Sequence, residues 1–324
     1  MFHEIRYVYE VYRERSFSKA AQKLYISQPS LSAMVKRAEQ RIGGPIFDRS
    51  TSPIGLTQVG LEYIRAAEQM MEIEDGFRRF LSDAGQCLTG SLAIGGTTLF
   101  TSYILPPLIS KFSARYPAVE IRVHEAHTAY LEKELNDGTL DLIAENYTFD
   151  PGIYGREPFC SEQMLLTVPA DRAVNEMAAG YRLSAEDVRQ GRHLSGDVKA
   201  APPELFRKEA FLLLKEGNDT RLRADKFFAR AHMKPDTRLL LDQQITAYNL
   251  ACYGMGSAFL SDTLVKHVPP VKSVWFYKID ESISRREICF YSKRSRYLTS
   301  VVREFMNTVK EMSRGEEGES YTNE

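Results

Sequence analysis

The side chains best suited to chemistry in the first part of the chain lie between Ser27 and Lys36. They carry hydroxyl, amide and ammonium groups, which exchange hydrogen bonds with a partner. Such groups suit the recognition of base edges and phosphates. The surrounding sequence is helix-forming, but it is interrupted by the run YISQP at residues 25–29. The elements on either side of this interruption therefore decide what the polar groups can reach.

Catalytic and metal-binding groupings are missing from the sequence. It has no Gly-x-Ser-x-Gly, no His-Glu-x-x-His, no P-loop and no paired Cys/His signature. His124 and His127 are close, but no acidic or cysteine partner lies at metal spacing. The four cysteines are far apart, which indicates reduced, buried thiols. The sequence therefore predicts no catalytic residue, no metal and no cofactor.

Three amphipathic segments surround the interruption. Apolar residues at three- and four-residue spacing predict a first helix near the N-terminus, and Ser18 can cap a short second helix. Ser27 can cap a third helix that runs to about Ile42, with Pro29 in the first turn, where its missing N–H breaks no intrahelical bond. Two short helices joined by a sharp corner predict a helix-turn-helix, whose second helix presents its N-terminal end to a major groove.

A small wing and a long helix are predicted after the helix-turn-helix. Short strands flank residues 50–54, with Arg49 at the base of the wing. Thr57 can cap a helix from about Gln58 to Ala84, whose apolar side favours pairing with a second copy. Packing against its own chain is the alternative. Gly85–Gly90 is predicted to be a hinge.

From Ser91 the sequence alternates between strands and helices. The order strand, helix, strand, helix, strand up to Ala144 predicts a parallel sheet. A second block of this kind covers roughly residues 164–268, and the strands after it, including 274–279, are expected to return to the first block. Two such α/β subdomains leave a cleft between them where a ligand can bind.

The charge distribution separates the first segment from the rest. Residues 1–60 carry nine basic and five acidic side chains, a net charge of +4, against −1 for the whole chain of 324 residues. This favours a polyanion-binding head, with a mixed, solvated surface as the alternative. No apolar run approaches a membrane span and the charged N-terminus lacks a signal-peptide core, so we expect a cytoplasmic protein without a membrane partner.

Residues 17–60 resemble the DNA-binding head of LysR-type transcriptional regulators. The family pattern is present as Ala20-Ala21, Leu24, Ser27-Gln28-Pro29, Ser32, Gly44-Pro45-Ile46-Phe47-Asp48-Arg49 and Leu56-Thr57-Gln58-Val59-Gly60. The resemblance continues through LAIGGTTLFTSYILPPLISKFSARYPAVEI, ELNDGTLDLIA and ACYGMGSAFLS, and so covers nearly the whole chain. It implies a regulator without enzymatic activity. The implied fold is a winged helix-turn-helix, a long linker helix and an α/β effector region of two Rossmann-like subdomains, similar to periplasmic binding proteins.

The resemblance implies that the third helix and the wing contact DNA. The expected contact residues are Ser27, Gln28, Pro29, Ser30, Ser32, Ala33, Lys36, Arg37 and Arg49. Gln28 suits adenine, the serines suit bases or phosphates, and the basic residues suit phosphates or the minor groove. Helix capping is the favoured alternative for Ser27. The family usually has arginine where this chain has Ala33, so a thymine methyl contact, or no contact, is expected there.

The resemblance also implies that a small molecule binds in the cleft. The expected effector-binding residues are Thr97, Thr98, Leu99, Thr101, His127, Thr128, Lys215, Glu216 and Asn218. Hydroxyls and helix-start N–H groups suit a carboxylate, and Lys215 adds a positive charge, whereas Glu216 favours an amine or a zwitterion. Helix capping is an equal alternative for Thr97 and Thr98, and Thr128 is expected to cap the helix that follows it.

The sequence pattern and the resemblance together divide the chain into a DNA-binding domain, a linker, two effector subdomains and a tail that its polar, acidic composition predicts to be disordered. The ranges are 1–57, 58–90, 91–163 with 269–314, 164–268, and 315–324. The expected partners are palindromic double-stranded DNA, a small-molecule effector such as a carboxylate or an amino acid, RNA polymerase, and further copies in a homodimer or homotetramer. A solute-binding protein of the same α/β fold and an enzyme are the alternatives, and a redox-sensing regulator finds no support in the cysteine spacing.

Overall fold

The structure is a computed structural model that describes residues 2–83 and 89–319. The chain divides into two compact units. The first unit is Met1–Ala84 with Ser295–Tyr297, and the second is Gly85–Arg294 with Leu298–Glu324. Within the described ranges, no helix is long and apolar enough to cross a membrane.

The first unit is a small helical bundle with a two-stranded wing. Its elements are α1 (Phe2–Glu14), α2 (Phe17–Lys23), α3 (Gln28–Ile42), β1 (Phe47–Asp48), β2 (Gly55–Leu56) and α4 (Gln58–Asp83). The two strands pair antiparallel, with Phe47 opposite Leu56. Val8, Leu31 and Ile64 bring α1, α3 and α4 into one buried core. This confirms the predicted winged helix-turn-helix and long helix.

The corner between α2 and α3 is a helix C-cap built around Tyr25. The Tyr25 N–H donates to the Gln22 carbonyl at 3.2 Å, and the Ile26 N–H donates to the Ala21 carbonyl at 3.1 Å. This pair of bonds is the Schellman pattern, which needs a left-handed residue after the helix. Tyr25 supplies it with φ of 55°. The sharp corner therefore rests on a strained non-glycine residue.

The starts of α2 and α3 follow side-chain caps. The Ser27 hydroxyl accepts the Ser30 N–H at 3.3 Å and begins α3 where the sequence predicts. The Ser16 hydroxyl accepts the Lys19 N–H at 3.4 Å, so α2 begins earlier than predicted. Ser18 lies inside α2 and does not cap it, because Ser16 already has the extended backbone that a cap requires.

Gly60 lets α4 pack directly on the wing. A Cβ atom at this position would lie 2.0 Å from the carbonyl oxygen of Ile46. The Thr57 hydroxyl caps α4 by accepting the Gly60 N–H at 2.9 Å and donates to the Pro45 carbonyl at 2.6 Å. The start of α4 is thus joined to the wing through backbone contacts that only glycine permits.

The second unit is one continuous ten-stranded sheet flanked by helices. Its strands are β3 (Gly90–Gly96), β4 (Val119–Glu125), β5 (Leu142–Glu145), β6 (Tyr154–Pro169), β7 (Arg182–Leu183), β8 (Ala210–Leu214), β9 (Asp236–Leu241), β10 (Ser257–Ser261), β11 (Val274–Lys278) and β12 (Arg285–Lys293). Its helices are α5 (Leu105–Arg115), which follows a π-helical turn at Phe100–Ile104, α6 (Thr128–Asp137), α7 (Val174–Met177), α8 (Ala185–Arg189), α9 (Asp219–Arg230), α10 (Gln244–Cys252), α11 (Asp262–His267), α12 (Glu281–Ser284) and α13 (Ser300–Glu319). Alternate residues of β3 and β5 enter different buried clusters, so both faces of this part of the sheet are covered.

The sheet has two parallel halves joined by antiparallel strands. The strand order is β4-β3-β5-β12-β6-β10-β8-β9, and β11 pairs with β6 and β7. In the first half, β3 runs parallel to β4 and β5. In the second half, β8 runs parallel to β9 and β10. This confirms the predicted pair of Rossmann-like subdomains.

The strand β6 belongs to both halves. Its first part pairs with β12, and its last part pairs with β10 and β11. The sequence prediction placed a subdomain boundary between residues 163 and 164, inside this strand. It also assigned residues 274–279 to the first subdomain, which was wrong because β11 pairs with residues 165–169. An apolar run shows that a strand forms but does not show its partner.

The last helix is longer than predicted. The sequence predicts its end near Ser313 and a disordered tail from Gly315, but α13 continues to Glu319. The prediction for the tail was therefore wrong for residues 315–319. Residues 320–324, and residues 85–88 of the predicted hinge, lie outside the described part of the chain.

Candidate functional site

The outer face of α3 is polar and exposed at its N-terminal end. Among the residues expected to contact DNA, Ser27, Gln28, Pro29, Ala33, Lys36, Arg37 and Arg49 are exposed, while Ser30 and Ser32 are half-buried. The opposite face of α3 buries Leu31, Val35 and Ala38 against the rest of the unit. The helix is therefore anchored on one side and can present the other to a partner.

Lys36 and Arg37 have no carboxylate partner within residues 2–83 and 89–319. Several other basic residues of the first unit are paired: Lys23 lies 2.6 Å from Glu10, and Arg41 lies 2.9 Å from Glu4. A basic side chain without an internal partner can neutralise a phosphate without first breaking an ion pair. Lys36 and Arg37 are thus available to a phosphate on the helix that the sequence predicts to enter the groove.

Arg49 is held at the base of the wing by its own chain. Its Nη2 donates to Glu39 Oε2 at 3.2 Å, and its guanidinium lies 5.1 Å from the centre of the Phe17 ring. Glu39 also accepts the Ile46 N–H at 3.0 Å through its other oxygen. Arg49 is therefore positioned by these contacts, and about half of its side chain remains exposed.

A cavity of about 340 Å³ lies between the two halves of the second unit. It is lined by the residues that follow the carboxyl ends of the parallel strands β3, β4, β8 and β9. Eight of the nine predicted effector-binding residues line it: Thr97, Thr98, Leu99, His127, Thr128, Lys215, Glu216 and Asn218. Ligands of open α/β sheets bind at this position, outside the carboxyl ends of the strands.

Thr101 does not line the cavity. Its hydroxyl lies 3.2 Å from the Thr98 carbonyl and 3.1 Å from Glu125 Oε2. Thr98 donates to the other oxygen of Glu125 at 2.6 Å. Both hydroxyl protons are therefore used inside the protein.

The sequence prediction missed the loop after β9. Asp242, Gln243 and Gln244 line the cavity, and Asp242 Oδ2 accepts a hydrogen bond from Lys215 Nζ at 2.9 Å. This loop follows a parallel strand, as does the loop that carries Lys215, so the same rule could have found it. Tyr103 also lines the cavity from a helix, where no pattern in the sequence indicated it.

Four helices begin at the cavity, and two of them lack a side-chain cap. His127 Nδ1 accepts the Tyr130 N–H of α6 at 3.3 Å, and Asn218 Oδ1 accepts the Thr220 N–H of α9 at 2.9 Å. No side chain caps the helical segment that leads into α5 or the start of α10. Their first backbone N–H groups, which carry partial positive charge, are therefore available to an anion.

Thr128 does not cap α6, contrary to prediction, because His127 does. The Thr128 hydroxyl instead donates to Glu145 Oε2 at 2.9 Å. Glu145 ends β5, is 2% exposed, and also accepts the Asn146 N–H at 3.0 Å. Burial raises the pKa of Glu145 to about 7, against the effect of these two donors. A titratable carboxyl group that the sequence did not indicate thus lies behind the cavity wall.

A buried polar network joins the two halves beside the cavity. Arg286 Nε donates to Glu162 Oε1 at 2.6 Å, and Arg286 Nη1 donates to Asp219 Oδ2 at 2.8 Å. Asn146 Nδ2 donates to Glu162 at 2.7 Å, and Thr263 donates to Glu162 at 2.8 Å. The network reaches from β5 through β6 and β12 to the start of α9.

Sequence comparison assigns both parts of the chain to one family. Residues 2–61 match the family model described as "Bacterial regulatory helix-turn-helix protein, lysR family", and residues 85–314 match "LysR substrate binding domain". The chain belongs to the LysR family. It is a LysR-type transcriptional regulator with a helix-turn-helix and an effector-binding domain, and regulators of this family bind DNA and small-molecule effectors.

Relatives in the LysR family match nearly the whole length of the chain. It is 29% identical over 310 residues to YcgK of Bacillus subtilis (strain 168), an uncharacterized HTH-type transcriptional regulator, covering 95% of this chain and 93% of that protein. The structure of a full-length OxyR variant from Pseudomonas aeruginosa matches with a TM-score of 0.65 at 22% identity, covering 96% of this chain and 94% of that chain. CbnR in complex with its target DNA matches with a TM-score of 0.57 at 17% identity, covering 96% and 99%. The two structural likenesses show the fold.

Proposed function

We propose that this LysR-type regulator reads a specific promoter site through α3 and that a small molecule in the cavity modulates DNA binding. The observation that carries the proposal is the cavity itself, because eight residues expected from the sequence surround it together with four helix starts. The exposed polar face of α3 carries the DNA-binding part. The chain then acts as a regulator and not as an enzyme or a transport protein.

The proposed DNA contacts differ in role along α3. Gln28 pairs with a base edge, and Ser32 with a base or a phosphate, since both lie on the outer side of the helix. Ser27, Pro29 and Ser30 lie at the helix start that approaches the duplex. Lys36, Arg37 and Arg49 neutralise phosphates, and Ala33 offers a methyl group where the family has arginine. The residues of α3 that are proposed to contact bases therefore include no arginine or lysine, the side chains that most often bind guanine.

The exposed apolar side of α4 supports assembly with further copies. Ile73, Phe77 and Leu81 are 73%, 62% and 58% exposed. A long helix that exposes large apolar side chains at helical spacing gains stability by pairing. A symmetric dimer, alone or within a homotetramer, then reads a palindromic site.

The effector is proposed to be a carboxylate or an amino acid, bound mainly by the residues that line the cavity. Its binding shifts the two halves of the sheet and so changes how the copies engage DNA and RNA polymerase. The proposed site of action is the cytoplasm. Redox sensing is not part of the proposal. At Cys289, burial raises the pKa of the thiol and so disfavours the reactive thiolate.

A mobility-shift assay with DNA from upstream of the protein's own gene tests the DNA-binding part. We expect a specific complex whose affinity falls steeply with salt. Lys36→Ala should reduce the slope of log affinity against log salt concentration by about one, because binding would release about one counterion fewer from the DNA. Lys226→Ala is the matched control and should leave binding unchanged, since Lys226 is an exposed lysine on α9 of the second unit that forms no ion pair with the described residues.

Ala33→Arg tests the assigned face of α3. The added guanidinium should change the base preference or raise nonspecific affinity, measured by selection from a randomised duplex pool. If neither changes, this face does not meet DNA. If no specific complex forms, or if footprints are unchanged by every compound that binds, the proposed function is wrong.

A further inference from the structure

Glu145 lies directly behind the part of the cavity wall that Thr128 forms. The only proton of the Thr128 hydroxyl is donated to Glu145 Oε2 at 2.9 Å. A hydroxyl group has one donor and two acceptor positions. While Glu145 is ionised, Thr128 can therefore offer only an acceptor to a ligand in the cavity.

Within the part of the chain that the structure describes, no basic side chain forms an ion pair with Glu145. The charged groups that face it from other elements are Arg286 on β12 and Asp219 on α9. Arg286 already donates to Glu162 at 2.6 Å and to Asp219 at 2.8 Å, so its charge is shared between two other carboxylates. The uncharged partners of Glu145 are Thr128 on α6 and the Asn146 N–H. The buried cluster is therefore closer to neutrality when Glu145 is protonated.

The rest of the cavity favours an anion. The uncapped helix starts before α5 and at α10 direct N–H groups to the cavity from opposite halves of the sheet. Lys215 adds a positive charge that is balanced by Asp242 at 2.9 Å. A carboxylate bound near the start of α6 would lie one side chain away from Glu145. Two carboxylates in one buried site do not both remain ionised, so one of them takes up a proton.

We propose that a carboxylate binds in the cavity together with one proton from solvent, which Glu145 takes up, and that Thr128 links the two groups. With Glu145 protonated, its O–H donates to Thr128 Oγ1, and the Thr128 hydroxyl proton turns to the bound carboxylate. Glu145 then acts as a positioning residue that selects the charge of the ligand through Thr128. This inference rests on the proposed effector site and adds the regulation of that site by pH.

Calorimetric titration of the full-length protein with sodium acetate, butyrate, benzoate and succinate tests the inference. At pH 8, the binding enthalpies in HEPES and in Tris should differ by the amount that corresponds to uptake of one proton. Affinity should fall about tenfold per pH unit above pH 7 and level off below it. The matched amides acetamide, butyramide and benzamide should bind without proton uptake.

Two variants separate the linkage from a purely structural role. Glu145→Gln, which mimics the protonated state, should keep carboxylate binding but lose proton uptake and pH dependence. Glu120→Gln, which removes an exposed carboxylate at the start of β4 that does not line the cavity, should retain both. Carboxylate binding without proton uptake, or uptake that persists in Glu145→Gln, would overturn the inference, as would failure of all four carboxylates to bind. None of these results affects the specific DNA complex, whose absence alone would overturn the DNA-binding part of the proposed function.

Discussion

Arg286 Nε donates to Glu162 Oε1 at 2.6 Å, and the two side chains are 1% and 0% exposed. They come from β12 and β6, the strands that connect the halves of the sheet. Arg286 Nη2 has no hydrogen-bond partner in the part of the chain that the structure describes. The two side chains therefore form a buried ion pair where the two halves of the sheet join. Removal of either side chain would leave the opposite charge buried without this partner.

Arg286→Met should destabilise the second unit strongly. It leaves the Glu162 carboxylate buried without its cation, which costs about 3–5 kcal/mol of unfolding free energy. Urea unfolding followed by circular dichroism measures the change. Arg285→Met is the control, because Arg285 is exposed and pairs with Glu281 only at 3.6 Å, so its loss should be within about 1 kcal/mol. Equal losses in the two variants would show that the buried pair is not what stabilises the junction.

Gly60→Ala should disrupt the first unit. Its Cβ would lie 2.0 Å from the Ile46 carbonyl oxygen, so α4 must move away from the wing. Hydrogen exchange should show loss of protection in α3 and α4, while β3 to β5 keep theirs. Gly44→Ala is the matched variant, since its nearest contact would be 3.9 Å from Val59. Unchanged protection in Gly60→Ala would contradict the close backbone packing.

Tyr25→Gly should stabilise the corner of the helix-turn-helix. A left-handed backbone conformation costs a residue with a Cβ about 1–2 kcal/mol, and glycine removes this cost. Glycine also raises the conformational entropy of the unfolded chain, which offsets part of the gain. We expect a net gain of about 0.5–1 kcal/mol in the opening free energy of α2 and α3, measured by hydrogen exchange. Tyr25→Ala keeps the Cβ and should give no such gain. If Ala and Gly behave alike, the strain is not in the backbone.

Glu145→Gln should stabilise the protein in a pH-dependent way. Because burial raises the pKa of Glu145 from 4.5 to about 7, the folded state binds more protons than the unfolded state between these values. The contribution of Glu145 to stability is therefore full below about pH 4.5, falls as pH rises to about 7, and stays low above. The free energy of unfolding of the variant, minus that of the natural protein, should therefore be larger at pH 8 than at pH 5, by up to about 3 kcal/mol.

The comparison of urea unfolding at these two pH values isolates Glu145, since other titrating groups are common to both proteins. Glu120→Gln, which alters an exposed carboxylate on β4 that faces Arg122 at 3.7 Å, is the control and should not reproduce the effect. A gain that is equal at pH 5 and pH 8 would mean that Glu145 is ionised throughout.

The features that the sequence predicted correctly are local ones. The cap at Ser27, the corner before Gln28 and the loops that carry Thr97 and Lys215 follow from residues within a few positions of one another. The features that it missed depend on distant partners. Glu162 meets Arg286 across 124 residues of chain, and β11 meets β6 across about a hundred. Neither spacing nor periodicity contains that information, because the partner is chosen by the packing of the whole sheet.

The continuity of β6 has a consequence for how this region can be divided. The strand supplies hydrogen-bond partners to β12 at one end and to β10 and β11 at the other. A cut within residues 154–163 shortens the partner of β12, and a cut within residues 164–169 shortens the strand that β10 and β11 share. The two subdomains can therefore be distinguished by their strand pairing, but they share one continuous strand. For protein engineering and for gene rearrangement alike, the effector region behaves as a single exchangeable part.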